Sequence, residues 1–517
     1  MTGTYRGLSA LAPRLLVFLL LAAVASAQTP HHPLTVHVTL SRELGNQAVS
    51  GRAIVALSPT APRGAALDPG QVLSGPDAVW VAAQEVAHLA PGESADISGD
   101  TLAFPGPLSK APAGHWWAML LLDVDHNAAY HFFSAGDLRS DVVELKDFDP
   151  GSGKPLELTL SRRVPEPTQP KLPANAEGLD FVSPSLSAFW GRPIHMRGVV
   201  VLPPHYAGGT TRYPTVYWTH GFGGDELGIE RGAAPMYSQL LTSGRVPPMI
   251  YVLLDESSAT GTHEFADSAN NGPWGKALTE ELIPYIDHHY RTRATAQARF
   301  VTGHSSGGWA ALWLGVTYPR IFGGTWPTAP DPSDFHAFTG PDLRARPAPN
   351  LYRKPDGSPW MLVRIEGKDV ESLENLARQE QVLGEYGGQM ASFEWVFSPR
   401  AADGRPQQLF DRVTGELNTA VADAWEKYDV AETIRKNAAT LRPLLQDHIH
   451  LYVGTIDTFH LDEPARLLEK TLQEAGIRAQ FHYVEGKDHF NLYQDGLAQK
   501  IAAEMDAASR SSATSIR

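Results

Sequence analysis

One short stretch of the sequence has the composition and spacing of a reactive serine on a tight turn. Arg299 to Thr302 contains β-branched and aromatic residues that favour a strand, and Trp309 to Leu314 contains helix formers. Between them, Gly303-His-Ser-Ser-Gly307 matches the pattern G-x-S-x-G. A serine on a sharp strand-to-helix turn crowds the residues two before and two after it, and glycine at both places relieves the crowding. Because Ser305 has glycine at both offsets and Ser306 does not, we predict that Ser305 is a nucleophile.

A nucleophilic serine needs a base that can accept its proton. The sequence contains 20 histidines, and His489 lies in the turn-like segment Gly486-Lys-Asp-His-Phe490, directly after a predicted strand from Gln480 to Glu485. A histidine on a loop beyond the last strand can reach a serine at the same edge of the sheet. We therefore predict that His489 is the base.

The base needs an acid that orients its imidazole, and two aspartates follow the predicted strand from His448 to Gly454. Asp457 comes three residues after Gly454, on the turn at the end of that strand. Asp462 begins a predicted helix, where its carboxylate suits an N-cap. We therefore predict Asp457 as the catalytic acid and Asp462 as the N-cap.

A glycine-rich loop elsewhere in the sequence could bind a developing oxyanion. The predicted strand Thr215 to Thr219 runs into His220-Gly-Phe-Gly-Gly224, whose backbone N–H groups can turn toward a bound carbonyl. We predict that the N–H groups of Phe222 and of Ser306 form an oxyanion hole.

Substrate contacts are expected from a polar loop at Gly261 to Trp274, which follows a predicted strand ending at Leu254. Loops at the carboxyl ends of parallel strands line the binding sites of α/β proteins. Trp274 or Asn271 is the expected substrate contact, and a solvated surface loop is the alternative.

Composition restricts the partners and the compartment. The chain has 517 residues, which favours two or three domains, and a net charge of -14 without a basic cluster argues against nucleic acid or an anionic membrane surface as partner. Residues 1–27 combine two arginines, the apolar run Leu15 to Val24 and Ala25-Ser-Ala27, as in a cleaved secretory signal peptide. Ten apolar residues are too few to span a bilayer. We expect a secreted or periplasmic protein, without stable membrane association, that folds with no cysteine.

Periodicity divides the rest of the chain. Short alternating segments in residues 28–161 predict an antiparallel β-sandwich, either a binding module or a packing domain that shapes the neighbouring site. Residues 162–179 contain four prolines and are predicted to form a linker. In residues 180–517, apolar runs without strict alternation predict an α/β domain with a mostly parallel sheet. Residues 331–445 are an expected cap insertion, in which Trp395 and Trp425 could be pocket walls, unless the cap only packs.

The motifs resemble those of the Putative esterase family, which includes esterase D-like and enterochelin esterase-like proteins. The resemblance covers residues 180 to 505 and rests on the His220-Gly-Phe-Gly-Gly loop, Gly303-His-Ser-Ser-Gly-Gly, the Gly454-x-x-Asp457 turn and Gly486-Lys-Asp-His489-Phe. It implies an α/β-hydrolase fold that hydrolyses esters and sometimes transfers the acyl group instead. The predicted sandwich is similar to an extra domain of some enterochelin esterase-like members.

The order Ser305, Asp457, His489 is the order expected of an α/β-hydrolase. The mechanism requires a small-molecule ester and no metal or organic cofactor. An acyltransferase with the same residues and a noncatalytic binding protein on the same fold are the alternative hypotheses.

Overall fold

The computed structural model describes residues 32–68, 75 and 77–514. The predicted signal peptide therefore lies outside the described residues. In the part of the chain that is described, no helix is both long enough and apolar enough to cross a membrane.

The N-terminal part consists of strands in two sheets. The strands are β1 (Thr35–Leu40), β2 (Val49–Ser58), β3 (Trp80–Leu89), β4 (Ser94–Ser98), β5 (Ala103–Phe104), β6 (Gly114–Asp123), β7 (Leu138–Arg139), β8 (Val143–Phe148), β9 (Leu156–Leu160) and β10 (Arg162–Arg163). One sheet has the order β4-β1-β9, and the other has the order β10-β7-β6-β2-β3-β5, with β8 also paired to β6.

The larger N-terminal sheet is covered on both faces. Alternate residues of β2, such as Val55, pack with the smaller sheet in one apolar core. The residues between them, such as Ile54, pack in a second core that includes Val382 and Leu383 of the C-terminal part. Both faces of β2 are therefore buried, each in a different apolar core.

The C-terminal part is built on a sheet with the strand order β11-β12-β14-β13-β19-β20-β23-β24. The pairs β11–β12 and β12–β14 are antiparallel, and the remaining pairs are parallel. These strands are β11 (Ala176–Val182), β12 (His195–Val201), β13 (Thr215–Thr219), β14 (Ile250–Leu254), β19 (Arg299–His304), β20 (Gly324–Thr328), β23 (His450–Gly454) and β24 (Gln480–Val484). The two-residue strands β15 (Ser257–Ser258), β16 (Gly261–Thr262), β17 (Asp267–Ser268) and β18 (Gly272–Pro273) form two small hairpins.

Helices cover both faces of this sheet. Tyr251 and Leu253 of β14 belong to the apolar core on one face, whereas Val252 and Leu254 belong to the core on the other. Burial on both faces explains why the strands are apolar without alternation. The helices are α1 (Pro184–Trp190), α2 (Glu226–Gly228), α3 (Ala234–Thr242), α4 (Trp274–Lys276), α5 (Ile283–His289), α6 (Ser306–Thr317), α7 (Leu373–Leu383), α8 (Gln389–Phe397), α9 (Thr419–Trp425), α10 (Val430–Leu445), α11 (Asp462–Glu474) and α12 (Leu497–Thr514).

Two boundaries bear on the predicted organisation. Strand β11 begins at Ala176, inside the predicted linker 162–179, and pairs along its length with β12. The segment between β20 and β23 contains α7 to α10 and a hairpin of β21 (Met361–Ile365) and β22 (Lys368–Ser372). The predicted insertion therefore has its own secondary structure, and α7 also contacts the N-terminal sheet.

Arg52 on β2 holds α7 against the N-terminal sheet. Its guanidinium donates to the carbonyl oxygens of Val382 and Gln381, each at 2.9 Å, and to Glu85 Oε1 at 2.7 Å. Only 6% of Arg52 is exposed. Its loss would leave two carbonyls at this contact without their donor.

Arg52→Ala is therefore expected to lower the free energy of unfolding by about 2–3 kcal/mol, since buried acceptors lose their partner. Arg162→Ala is the matched control, because Arg162 pairs with Asp141 at the surface, where 60% of its side chain is exposed, and such pairs contribute little. Thermal melts of both variants test the contact. Equal melting temperatures for Arg52→Ala and Arg162→Ala would contradict it.

Candidate active site

Ser305 lies on the turn between β19 and α6, with φ 59° and ψ -123°. A Cβ atom at Gly303 would lie 2.2 Å from the carbonyl oxygen of Gly307, and a Cβ at Gly307 would lie 2.2 Å from that of His220. Neither position has room for a side chain. Gly303 is therefore required by crowding across the serine turn, as was inferred, whereas Gly307 is required by the approach of His220 from the neighbouring loop.

The loops that carry Asp457 and His489 pack directly on each other. A Cβ atom at Gly454 would lie 2.0 Å from the Lys487 carbonyl oxygen, so glycine is required for this approach. The Ile456 N–H donates to the same carbonyl at 3.2 Å. Because β23 and β24 are neighbours in the sheet, their following loops meet at one edge.

Asp457 and His489 form a buried pair. His489 Nδ1 lies 2.9 Å from Asp457 Oδ2, and the other carboxylate oxygen accepts from the N–H groups of Phe459 at 2.9 Å and Leu461 at 3.3 Å. Burial opposes ionisation of Asp457, but these hydrogen bonds and the charge of His489 outweigh it, so its pKa is lowered. Asp457 is thus held as a carboxylate that can orient the imidazole.

His304, next to Ser305, supports the His489 ring. The two ring centroids are 4.4 Å apart, and His304 Nδ1 lies 3.0 Å from Thr328 Oγ1. Burial, aided by the nearby His489, lowers the pKa of His304 to about 3. His304 therefore packs against His489 as a neutral ring and adds no second positive charge beside it.

Asp331 follows β20 and places a second carboxyl group beside the serines. The Ser306 hydroxyl donates to Asp331 Oδ2 at 2.6 Å. Burial raises the pKa of Asp331 to about 6, against the opposing effects of the Ser306 hydrogen bond and the charge of His489. Asp331 lines the same cavity as Ser305, and its N–H donates to the Ser305 carbonyl at 3.2 Å.

The glycine-rich loop after β13 lies directly against Ser305. A Cβ atom at Gly221 would lie 3.0 Å from that of Ser305. His220 Nδ1 donates to the Gly221 carbonyl at 2.8 Å, and its Nε2 lies 2.9 Å from Asp255 Oδ1. Burial disfavours a charged imidazole, but the hydrogen bond to Asp255 and the charges of Glu256 and Asp255 outweigh it and raise the pKa of His220. The bond from Nδ1 to the Gly221 carbonyl fixes the start of the loop, and Nε2 accepts from the Glu256 N–H at 3.0 Å.

A cavity of ≈ 610 Å³ opens beside Ser305. Its walls include residues of the loop before β7, the glycine-rich loop His220–Gly224, the insertion and the loop after β23. The side chains are mainly apolar and include Phe132, Phe133, Phe222, Leu376, Phe393 and Phe459. A cavity of this size and character suits an apolar group of a small molecule.

Four aromatic or polar residues predicted near the substrate do not line this cavity. Trp274 stacks on His263 with ring centroids 3.5 Å apart and donates from Nε1 to the Asn271 carbonyl at 2.9 Å. Trp274 lines a smaller cleft with Asp255, and Asn271 is 2% exposed. Trp425 is 1% exposed, and Trp395 lines a cleft between the insertion and the N-terminal sheet. These side chains were predicted from loop position and residue type, and their packing leaves them outside the walls of the cavity that contains Ser305.

Asp462 does not have the predicted N-cap role. The N-cap position of α11 is Leu461, and Asp462 is the first residue of the helix. Its Oδ1 accepts from Arg364 Nη2 at 2.6 Å, and Arg364 Nε donates to the Asp457 carbonyl at 2.6 Å. Asp462 therefore holds the arginine that braces the Asp457 turn.

Sequence reasoning did not single out His304, Asp331, Asp255 or Arg364. His304 and Asp331 could have been found from position, because one precedes the predicted nucleophile and the other follows the next strand, β20. Arg364 comes from the insertion, and its contact with Asp457 spans 93 residues of sequence. Local patterns carry no signal for such a contact.

The fold is mixed α/β and carries a serine at positive φ on a strand-to-helix turn beside a glycine-rich loop. The model of the family described as "Putative esterase" matches residues 191–502, more than half of the chain. The chain belongs to this family.

Individual relatives match shorter stretches. An endo-1,4-beta-xylanase/feruloyl esterase of Xylanibacter ruminicola is 30% identical over 132 residues, which are 24% of this chain and 18% of that protein. The iron(III) enterobactin esterase of Escherichia coli is 30% identical over 89 residues, 17% of this chain and 22% of that protein. The chain thus spans about a fifth of the length of these curated relatives. The solved structure of a ferulic acid esterase has 14% identity, covers 65% of this chain and 100% of its own, and has a TM-score of 0.41.

The geometry separates the roles of the two aspartates. Asp457→Asn is expected to lose about three orders of magnitude or more in kcat with a nearly unchanged melting temperature, because the imidazole loses its orienting charge. Asp462→Ala is expected to remain active and to lose about 1–3 kcal/mol of stability, because Arg364 loses its partner. Ester hydrolysis and thermal melts of both variants measure this. The reverse pattern would transfer the catalytic role to Asp462.

Proposed function

We propose that the protein is an exported serine esterase that cleaves carboxylic esters through an acyl-enzyme on Ser305. The observation that carries the proposal is a serine at positive φ at an apolar cavity, against a glycine-rich loop, with the ring of the buried Asp457–His489 pair packed on His304, the residue before the serine. In acyl transfer to serine, the serine is the nucleophile, the histidine–aspartate pair is the base with its orienting acid, and the loop binds the oxyanion.

In the proposed reaction the ester carbonyl lies between Ser305 and the loop His220–Gly224, which we call the oxyanion loop. His489 accepts the Ser305 proton as the hydroxyl oxygen attacks the carbonyl carbon, and the N–H groups of Phe222 and Ser306 stabilise the oxyanion. The protonated His489 then returns the proton to the leaving alcohol. Water, activated by the same imidazole, hydrolyses the acyl-enzyme.

The size and apolar character of the cavity favour esters with a bulky apolar group, and aromatic acyl groups are candidates because five phenylalanines line the walls. Two of the similar proteins are described as feruloyl or ferulic acid esterases. A panel of aryl, sugar, siderophore and short-chain esters separates the candidate substrates. A preference for short-chain esters would argue against a role for the aromatic walls in binding the substrate.

The same residues could pass the acyl group to an alcohol other than water. Product analysis with and without added alcohol acceptors distinguishes hydrolysis from transfer. Free acid as the main product in the presence of acceptors supports hydrolysis.

Ser305→Ala is expected to lower kcat by at least about a thousandfold while the protein stays folded, since the covalent route is lost. Ser306→Ala is the matched control, because its backbone N–H remains and only the hydroxyl bound to Asp331 is removed. We expect Ser306→Ala to keep most of its activity with a modest loss of stability. An inactive Ser306→Ala with an active Ser305→Ala would disprove the assignment.

Export is proposed from residues 1–27, whose sequence is typical of a cleaved signal peptide. Expression of the full sequence in a bacterial host should yield a mature protein whose first residue is Gln28, found outside the cytoplasm. N-terminal sequencing of the fractionated protein measures this. A cytoplasmic protein that retains residues 1–27 would contradict export.

A further inference from the structure

The loop between β6 and β7 extends from the N-terminal sheets to the active-site cavity. Its residues 128–133 line the cavity together with Ser305 and Phe222. This loop therefore brings the N-terminal part of the chain to the proposed site, and its Tyr130 contacts the loop His220–Gly224.

Two buried carboxylates hold this loop in shape. Asp123 accepts from the N–H groups of Asn127 at 3.2 Å and Ala128 at 3.0 Å. Asp137 accepts from the N–H groups of Val124 at 3.0 Å and Ser134 at 2.8 Å. The segment between these anchors is therefore fixed to the strands of the N-terminal sheet.

Tyr130 makes two contacts with the oxyanion loop. Its hydroxyl donates to the Gly224 carbonyl at 2.6 Å. Its ring meets the Phe222 ring edge to face, with centroids 4.9 Å apart and an interplanar angle of 83°. Only 8% of Tyr130 is exposed, so neither contact is weakened by competition with bulk water.

The first half of the oxyanion loop is fixed by His220. The Gly221 carbonyl accepts from His220 Nδ1, and this carbonyl shares a planar peptide unit with the Phe222 N–H. In a trans peptide the two groups point in opposite directions, so the bond to His220 aims the Phe222 N–H. The second half has Gly224, which packs so closely on His220 that a Cβ there would lie 2.6 Å from Nδ1.

We propose that Tyr130 is a positioning residue for the oxyanion hole. By binding the Gly224 carbonyl and the Phe222 ring, it holds the second half of the loop while His220 holds the first half. The inference rests on the proposed esterase function and adds that the N-terminal part of the chain completes the active site.

The test compares Tyr130→Phe with Tyr251→Phe. Tyr130→Phe keeps the ring against Phe222 and removes only the hydroxyl that binds Gly224. Tyr251 is also a buried tyrosine, 1% exposed, and its hydroxyl has no hydrogen-bond partner in the described residues. It lies in β14 and is outside the proposed machinery, so its substitution controls for the loss of a buried hydroxyl.

For Tyr130→Phe we expect kcat to fall about tenfold with KM within about twofold of wild type, because the oxyanion forms only in the transition state. The inhibition constant of phenylboronic acid, which forms a tetrahedral adduct on a reactive serine, should rise by a similar factor. Tyr251→Phe should match wild type in both measurements.

A wild-type kcat and an unchanged inhibition constant in Tyr130→Phe would overturn the proposal. So would a loss of melting temperature with no change in either measurement, since Tyr130 would then serve only packing. If the wild-type protein hydrolysed no ester and bound no boronic acid, the proposed function itself would fail.

Discussion

The structure of the site depends on the steric constraint at Ser305. A non-glycine residue at φ 59° is strained by about 1–3 kcal/mol and persists only where its surroundings hold it. Here the Ser305 N–H donates to the Thr328 carbonyl at 3.0 Å, and the Ser305 carbonyl accepts from Trp309 at 2.9 Å and from Asp331 at 3.2 Å. These bonds tie the turn to β20 and to α6. Gly303 leaves room for the Gly307 carbonyl across this turn, and Gly307 leaves room for the His220 carbonyl of the glycine-rich loop.

This constraint explains why the catalytic candidates could be predicted from the sequence. The strand at Thr215–Thr219 has the bounds that were predicted, and the strands before Ser305 and before His489 differ from prediction by one or two residues. Their apolar runs and glycine turns are local signals, and the order of the strands brings their loops to one edge. Asp457 and His489 meet there because β23 and β24 are adjacent and Gly454 allows their loops to touch.

The walls of the cavity could not be predicted in the same way. Tyr130 and Phe132 come from a loop between N-terminal strands, and Leu376 and Phe393 come from the insertion. Their approach to Ser305 depends on packing between segments hundreds of residues apart, as in the bond from Arg52 to Val382. Trp274 was predicted from a loop at the correct edge of the sheet, but its ring stacks on His263 and does not line the cavity that contains Ser305.

The central claim is that Ser305 is the nucleophile of this fold. The most direct measurement is mass spectrometry of the protein after treatment with a fluorophosphonate, followed by peptide mapping of the adduct. The account predicts one stoichiometric adduct on Ser305, formed at pH 7–8. No adduct, or an adduct on Ser306 or on a serine outside the cavity, would contradict it.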